Sequence, residues 1–124
     1  MYSRMLIPLD GSKTAENVLP YARFIAGALK LPIELLAVVD IVELAIHISA
    51  GRPRDLDTMI ADSVRRSEQY LGEIARTFPN GTKCTVEKGQ PEQVIIETAA
   101  ADKGTLITMA THGRSGMNRW LLEV

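Results

Sequence analysis

The chain has 124 residues and a formal net charge of −1, from 14 Lys and Arg against 15 Asp and Glu. At ~100–200 residues per domain this is one domain over 1–124, long enough to bury a hydrophobic core. The balanced charge argues against nucleic acid as the main partner, because backbone binding needs a surplus of basic side chains. No apolar stretch approaches the ~20 residues of a spanning helix, so no membrane partner is expected. Met1-Tyr2-Ser3-Arg4 runs straight into a strand-like segment, with no signal-peptide core ahead of it, and the expected location is the cytoplasm. The single cysteine, Cys84, excludes an intramolecular disulfide and a thiolate-cluster metal site. It reads as a buried small hydrophobe.

In chain order, Met5-Leu6-Ile7 is a short apolar run closed by Pro8-Leu9-Asp10-Gly11-Ser12. This predicts a buried strand ending near Pro8, which cannot donate to a sheet. Ala15, Val18, Leu19, Ala22, Ile25, Ala26 and Leu29 then recur at steps of three and four, predicting a helix with Ser12 as N-cap and a kink at Pro20. Ile33 to Val39 is rich in branched residues on both faces, as in a doubly covered parallel strand. The segment Ile41 to Arg54, with His47, Gly51 and Pro53, reads as a loop with at most a helical turn. Asp55 to Phe78 is a long amphipathic helix, and Pro79-Asn80-Gly81 is a turn.

Thr82 to Lys88 alternates, predicting a half-exposed strand near a sheet edge. Gly89-Gln90-Pro91 opens a further helix with proline in its first turn, and Gly104 ends it before the strand Thr105 to Met109. Trp120, Leu121 and Leu122 read as the start of another core-packing helix. The order β-α-β-α-β-α-β predicts an α/β fold: an open, doubly wound parallel sheet with four visible strands. Ligands of such sheets sit at the carboxyl ends of strands where the strand order reverses. That singles out the exits of the first and fourth strands.

After the fourth strand, Ala110-Thr111-His112-Gly113-Arg114-Ser115-Gly116 has small residues that let a backbone approach a ligand. Its N–H groups can form an anion nest, with Arg114 as a forked donor to phosphate. It matches neither the P-loop nor the dinucleotide fingerprint, and a plain surface turn explains it as well. Asp10 can accept hydrogen bonds from a ribose hydroxyl or an adenine amino group, or it can close an Asx turn on its own backbone. His112 and His47 have no partner at triad or metal spacing, and no catalytic constellation is visible. The acidic pair Asp55 and Asp57 is explained by a helix N-terminus.

Taken together these segments resemble the universal stress protein family. The resemblance rests on Met5 to Ser12, on Ala37-Val38-Val39-Asp40, on Gly89-Gln90-Pro91 and on Met109 to Leu122, and it covers essentially the whole chain. It implies a Rossmann-like sheet of five strands, and many members bind ATP. The family motif G-x2-G-x9-G-[S/T] falls here on Ala110, Gly113, Glu123 and Val124, so one position is conservative, one is kept and two are lost. Glu123 would place a negative side chain near the phosphate position, and Val124 lacks the hydroxyl. The family continues through a fourth helix and a fifth strand, so this chain is expected to be incomplete or gapped after Leu122. A homodimer is implied where the fifth strand is present.

By resemblance, Pro8, Leu9 and Asp10 would contact adenine and ribose, and Val38 would line the adenine pocket. Met109, Ala110, His112 and Gly113 would form the start of the nucleotide loop, followed by Arg114. The implied function is a cytoplasmic stress-response module binding ATP, with Mg²⁺, as a regulatory ligand, and at most hydrolysing it slowly. The alternative is a dimerising interaction protein of the same family without nucleotide. A dedicated enzyme ranks below both. A response-regulator reading lacks clustered acids beside Asp10 and a phosphoacceptor aspartate after the third strand.

Overall fold

The computed structural model describes residues 1–50, 55–112 and 118–123. Its strands are β1 (Arg4–Pro8), β2 (Ile33–Asp40), β3 (Lys83–Gly89), β4 (Thr105–His112) and β5 (Asn118–Glu123). Its helices are α1 (Lys13–Glu16), α2 (Leu19–Leu29), α3 (Ile41–Ala50), α4 (Leu56–Ala75) and α5 (Pro91–Ala100). The sheet order is β3-β2-β1-β4-β5. The first four strands are mutually parallel, and β5 runs antiparallel to β4.

The period-2 pattern of the strands sorts the core into two layers. On one face Met5, Ile7, Leu9, Ile33, Leu35 and Leu106 pack against Ala15, Val18, Leu19, Ala22 and Ala26 of the α1–α2 segment and against Leu71 of α4. On the other, Leu6, Leu36 and Ile107 pack against Ala99 and Ile95 of α5. Both faces of β1 and β2 are therefore covered, which is why their sequences are apolar without alternation. β3 is the outer strand beyond β2 and is half-exposed, as its alternating sequence predicts.

Four local expectations are corrected. Pro20 does not kink a continuous helix: α1 stops at Glu16, and α2 restarts at Leu19 with proline in its first turn, where no backbone N–H is needed. The segment after β2 is helix rather than loop, because Asp40 Oδ1 accepts the Glu43 N–H at 3.1 Å and starts α3 directly at the strand end. Cys84 is exposed on the edge strand, not buried. Its thiol donates to the Leu71 carbonyl at 3.6 Å, and partial burial pushes its pKa up. Trp120 to Leu122 lie in strand β5, not in a helix. β5 doubles back along β4, pairing His112 with Asn118 and Leu106 with Glu123.

At the amino ends of the parallel strands, one polar cluster ties the layers together. The Arg4 guanidinium bonds Glu34 Oε1, Thr105 Oγ1 (2.7 Å) and the Thr98 carbonyl of α5 (2.6 Å), while Thr85 Oγ1 donates to Glu34 Oε2 (2.8 Å). This anchors the end of the sheet opposite the cleft described next.

Candidate functional site

The chain passes from β1 to β2 on one side of the sheet and from β3 to β4 on the other, so the strand order reverses between β1 and β4. At the carboxyl ends of these strands lies a cleft of about 780 Å³, within the usual range for a small-molecule site of ~300–1,000 Å³. Its floor is formed by Pro8 and Leu9 at the exit of β1, by Leu36 to Asp40 of β2, and by Met109 and Ala110 of β4. Pro91, Glu92 and Ile95 of α5 close one side, while Glu43, Leu44 and His47 of α3 and Ser63, Arg66, Ser67 and Tyr70 of α4 close the other.

The exit of β1 is held by local hydrogen bonds. The Leu9 N–H donates to the Leu36 carbonyl at 2.8 Å, keeping β1 and β2 joined up to the cleft. Asp10 Oδ1 accepts the Ser12 N–H at 2.9 Å, closing an Asx turn around Gly11, whose φ of +87° favours glycine. Ser12 Oγ then accepts the Ala15 N–H at 3.1 Å as the cap of α1. Asp10 thus forms the turn and lines the cleft at once, so the two readings of this residue are compatible.

Of the residues expected from sequence to form the site, Pro8, Leu9, Asp10, Val38, Met109 and Ala110 converge on this cleft. Ala110 stands where the family motif has glycine. Among the described residues the one non-glycine residue with positive φ is Lys30, so Ala110 occupies an ordinary strand conformation that a Cβ tolerates. His112 closes β4; its side chain, together with Gly113 and Arg114, lies outside the described residues, as does Val124. Glu123 does not sit at the cleft end of the sheet. The antiparallel register carries it to Leu106, near the start of β4.

Sequence reasoning missed the α3–α4 wall. Glu43 and His47 pair at i, i+4, with Oε1 and Nε2 3.9 Å apart. Arg66 Nη2 donates to Ser63 Oγ at 3.2 Å. Tyr70 Oη donates to Glu16 Oε2 at 2.7 Å. Burial above all, then this hydrogen bond and the charges of Glu16 and Asp10, push the Tyr70 phenol well above its ordinary pKa, so it stays neutral. One signal was available for α3: Asp40-Ile41-Val42-Glu43 has the spacing of a capping box. No local signal marks Ser63, Arg66 and Ser67 as site residues: by helical spacing Ser67 falls on the apolar stripe of the long helix and Arg66 on its opposite, solvated face.

Chemically, the cleft offers apolar walls for a flat or hydrophobic group, carboxylate acceptors at Asp10 and Asp40, and a guanidinium donor at Arg66. Among the described residues no group of three or more His, Cys, Asp or Glu is placed to hold a metal ion, and no helix is long and apolar enough to cross a membrane.

Fold and cleft together define an open, doubly wound α/β protein with a ligand-sized site at its topological switch point. Within that class the chain belongs to the universal stress protein family, whose model matches residues 1–123. It is 26% identical over 124 residues to the universal stress protein MJ0531 of Methanocaldococcus jannaschii, covering 98% of this chain and 72% of the relative. Its fold is similar to that of the hypothetical protein MJ0577, with a TM-score of 0.73 and 21% identity over 94% of this chain and 80% of that one. It is also similar to UspA of Lactobacillus plantarum, with a TM-score of 0.61 and 22% identity over 92% and 81% of the two chains. A universal stress protein family structure from Burkholderia pseudomallei gives 0.59 and 22% over 90% and 83%.

Proposed function

We propose that this stress-response family member binds ATP as a regulatory ligand in the cytoplasm, with Mg²⁺ carried on the phosphates. The observation that carries this reading is the convergence of Pro8, Leu9, Asp10, Val38, Met109 and Ala110 on one cleft at the switch point. The residues fit an adenosine. Val38, Met109 and Ile95 supply apolar surface for a base, and the Asp10 carboxylate accepts from a ribose hydroxyl or an exocyclic amine. Mg²⁺ usually keeps several waters and binds through phosphates plus one or two carboxylates, and Asp40 is a carboxylate at the cleft that the adenosine contacts leave available to it. ATP, when bound, supplies an occupancy signal. This chain's own residues hold the base and ribose against the sheet edge while the β1 turn keeps Asp10 in place. The same reading includes a homodimer where the family's fifth strand, which follows a fourth helix, is present.

The test is calorimetric titration of the protein with ATP and Mg²⁺, alongside Asp10→Ala. Saturable binding is expected. Loss of a hydrogen bond to a charged group of ~1.5–3 kcal/mol makes the variant bind roughly tenfold to a hundredfold more weakly, with unchanged circular dichroism. No binding by the wild type would overturn the nucleotide reading in favour of an interaction protein. Equal binding by Asp10→Ala would remove Asp10 from the site.

A further inference from the structure

We propose that the outer face of α2 is a self-association surface, covered by a second copy of this chain across a two-fold axis near Phe24. Between Leu19 and Leu29 the helix has one charged residue, Arg23. Its guanidinium is turned toward the segment after α4. There its Cζ lies 5.0 Å from the centroid of the Phe78 ring, Nε donates to the Thr77 carbonyl at 3.2 Å, and Nη2 donates to Thr77 Oγ1 at 3.0 Å. Leu19, Ala22 and Ala26 are buried in the core. A second stripe, Pro20, Tyr21, Phe24, Gly27 and Ala28, is uncharged and faces solvent, and its spacing sets these residues on one side of the helix. Phe24 is 77% exposed and Tyr21 52%. A helix that is apolar on every side belongs in an interior, and a contiguous exposed apolar patch marks a contact surface.

The stripe is graded in size, and the grading selects the occupant. Phe24 stands at its centre, with Pro20 and Tyr21 toward the start of α2 and Gly27 and Ala28 toward its end. Two copies laid antiparallel about an axis at Phe24 put Tyr21 opposite the partner's Gly27 and Pro20 opposite the partner's Ala28. An isologous contact makes each pair twice. Bulky residues then face small ones, as interdigitating packing requires. Gly27 has the room, because a Cβ placed there would meet nothing within 4 Å. The stripe carries no charge, so no like charges meet across the axis. At ~150–250 Å² for a whole aromatic side chain, the exposed parts of Phe24 and Tyr21 with the three smaller residues come to roughly 400–500 Å² per copy. A pair then buries about 800–1,000 Å², at the foot of the range for a specific interface, so the dimer is concentration-dependent. The contact uses a helix face and is separate from one made through a strand of the sheet. It does not depend on nucleotide binding.

The test is sedimentation equilibrium of the full chain without nucleotide, over the micromolar to millimolar range, for the wild type, Phe24→Glu and Gly27→Leu. Thermal unfolding at low concentration checks the fold of the monomer. The wild type is expected to shift from monomer toward dimer as concentration rises. Phe24→Glu sets two carboxylates face to face at the axis and should weaken association roughly tenfold or more. Gly27→Leu fills the space that takes the partner's Tyr21 and should weaken association as well. It should leave the melting temperature of the monomer unchanged or higher, because leucine is a better helix former than glycine, so the loss is not one of folding. A wild type that stays monomeric at millimolar concentration overturns the proposal and leaves the stripe to a different protein partner or to none. Association of unchanged strength in either variant also overturns it, because the dimer is then built on another face or in another register.

Discussion

Arg4 Nη1 lies 2.5 Å from Glu34 Oε1 across the β1–β2 pair, and the carboxylate is almost fully enclosed, with 6% of Glu34 exposed. Neither charge is left short of partners. Arg4 also bonds Thr105 Oγ1 and the Thr98 carbonyl, and Glu34 accepts from Thr85 Oγ1. The group joins β1, β2, β3, β4 and α5 at one end of the sheet. A buried pair of this kind contributes little over a well-packed apolar replacement, but removing one partner strands the other. Glu34→Ala is therefore expected to cost about 3–5 kcal/mol, read as a lower urea midpoint with an unchanged slope. A loss below ~1 kcal/mol would show that the guanidinium finds water instead.

Gly104 approaches the N-terminal segment too closely for any side chain. A Cβ there would stand 2.3 Å from Ser3 Oγ and 2.9 Å from the Ser3 nitrogen, whose N–H donates to the Gly104 carbonyl at 2.8 Å. The backbone cannot retreat without losing that bond. Gly104→Ala is expected to destabilise by about 1–3 kcal/mol, the usual range for overpacking. Ser3→Gly in the same chain should restore part of the loss in the same denaturation experiment, and no recovery would mean the clash lies elsewhere.

Lys30 closes α2 at φ 54° and ψ 45°, which lets the N–H groups of Lys30 and Leu31 reach the carbonyls of Gly27 (3.4 Å) and Ala26 (2.9 Å). An L-residue costs ~1–2 kcal/mol in this region, while glycine pays ~0.5–1 kcal/mol in unfolded-state freedom. Lys30→Gly is expected to leave stability equal or raise it by up to about 1 kcal/mol. A measurable loss of thermal stability would show that the lysine side chain contributes to the folded state.

Tyr70 predicts an alkaline limit to stability. Burial first, then the Glu16 hydrogen bond and the charges of Glu16 and Asp10, raise its folded pKa above the unfolded value of ~10. The folded state then keeps a proton that the unfolded state has lost, so ΔG of unfolding falls with rising pH. The contribution is complete below pH ~10 and disappears as pH climbs through the raised folded value. Tyr70→Phe should show a flatter decline between pH ~10 and ~12 in chemical denaturation. Identical slopes in the two proteins would rule the phenol out as the cause.

The sequence by itself determined the parallel α/β plan, because that plan is written in local periodicity. The doubly apolar runs at Met5 to Ile7 and Ile33 to Val39, the helical spacing between them, and Pro91 in the first turn of α5 each need only near neighbours to be read. Pro8, Leu9, Asp10 and Ala110 were also legible, since a strand exit in such a sheet points to the same end of the molecule every time, while Val38 and Met109 were expected from the family resemblance alone. The direction of β5 was not, because a strand is selected by the partner it pairs with, and Trp120-Leu121-Leu122 suits either periodicity until β4 is placed beside it. The α3–α4 wall was hidden for a related reason. Arg66 is separated from Asp10 by 56 positions along the chain, and only the return of α4 along the sheet brings Ser63, Arg66 and Ser67 to the same cleft. Arg66 resembles any residue of a solvated helix face and Ser67 falls on the apolar stripe, so their meeting with the β1 turn was decided by the tertiary structure alone.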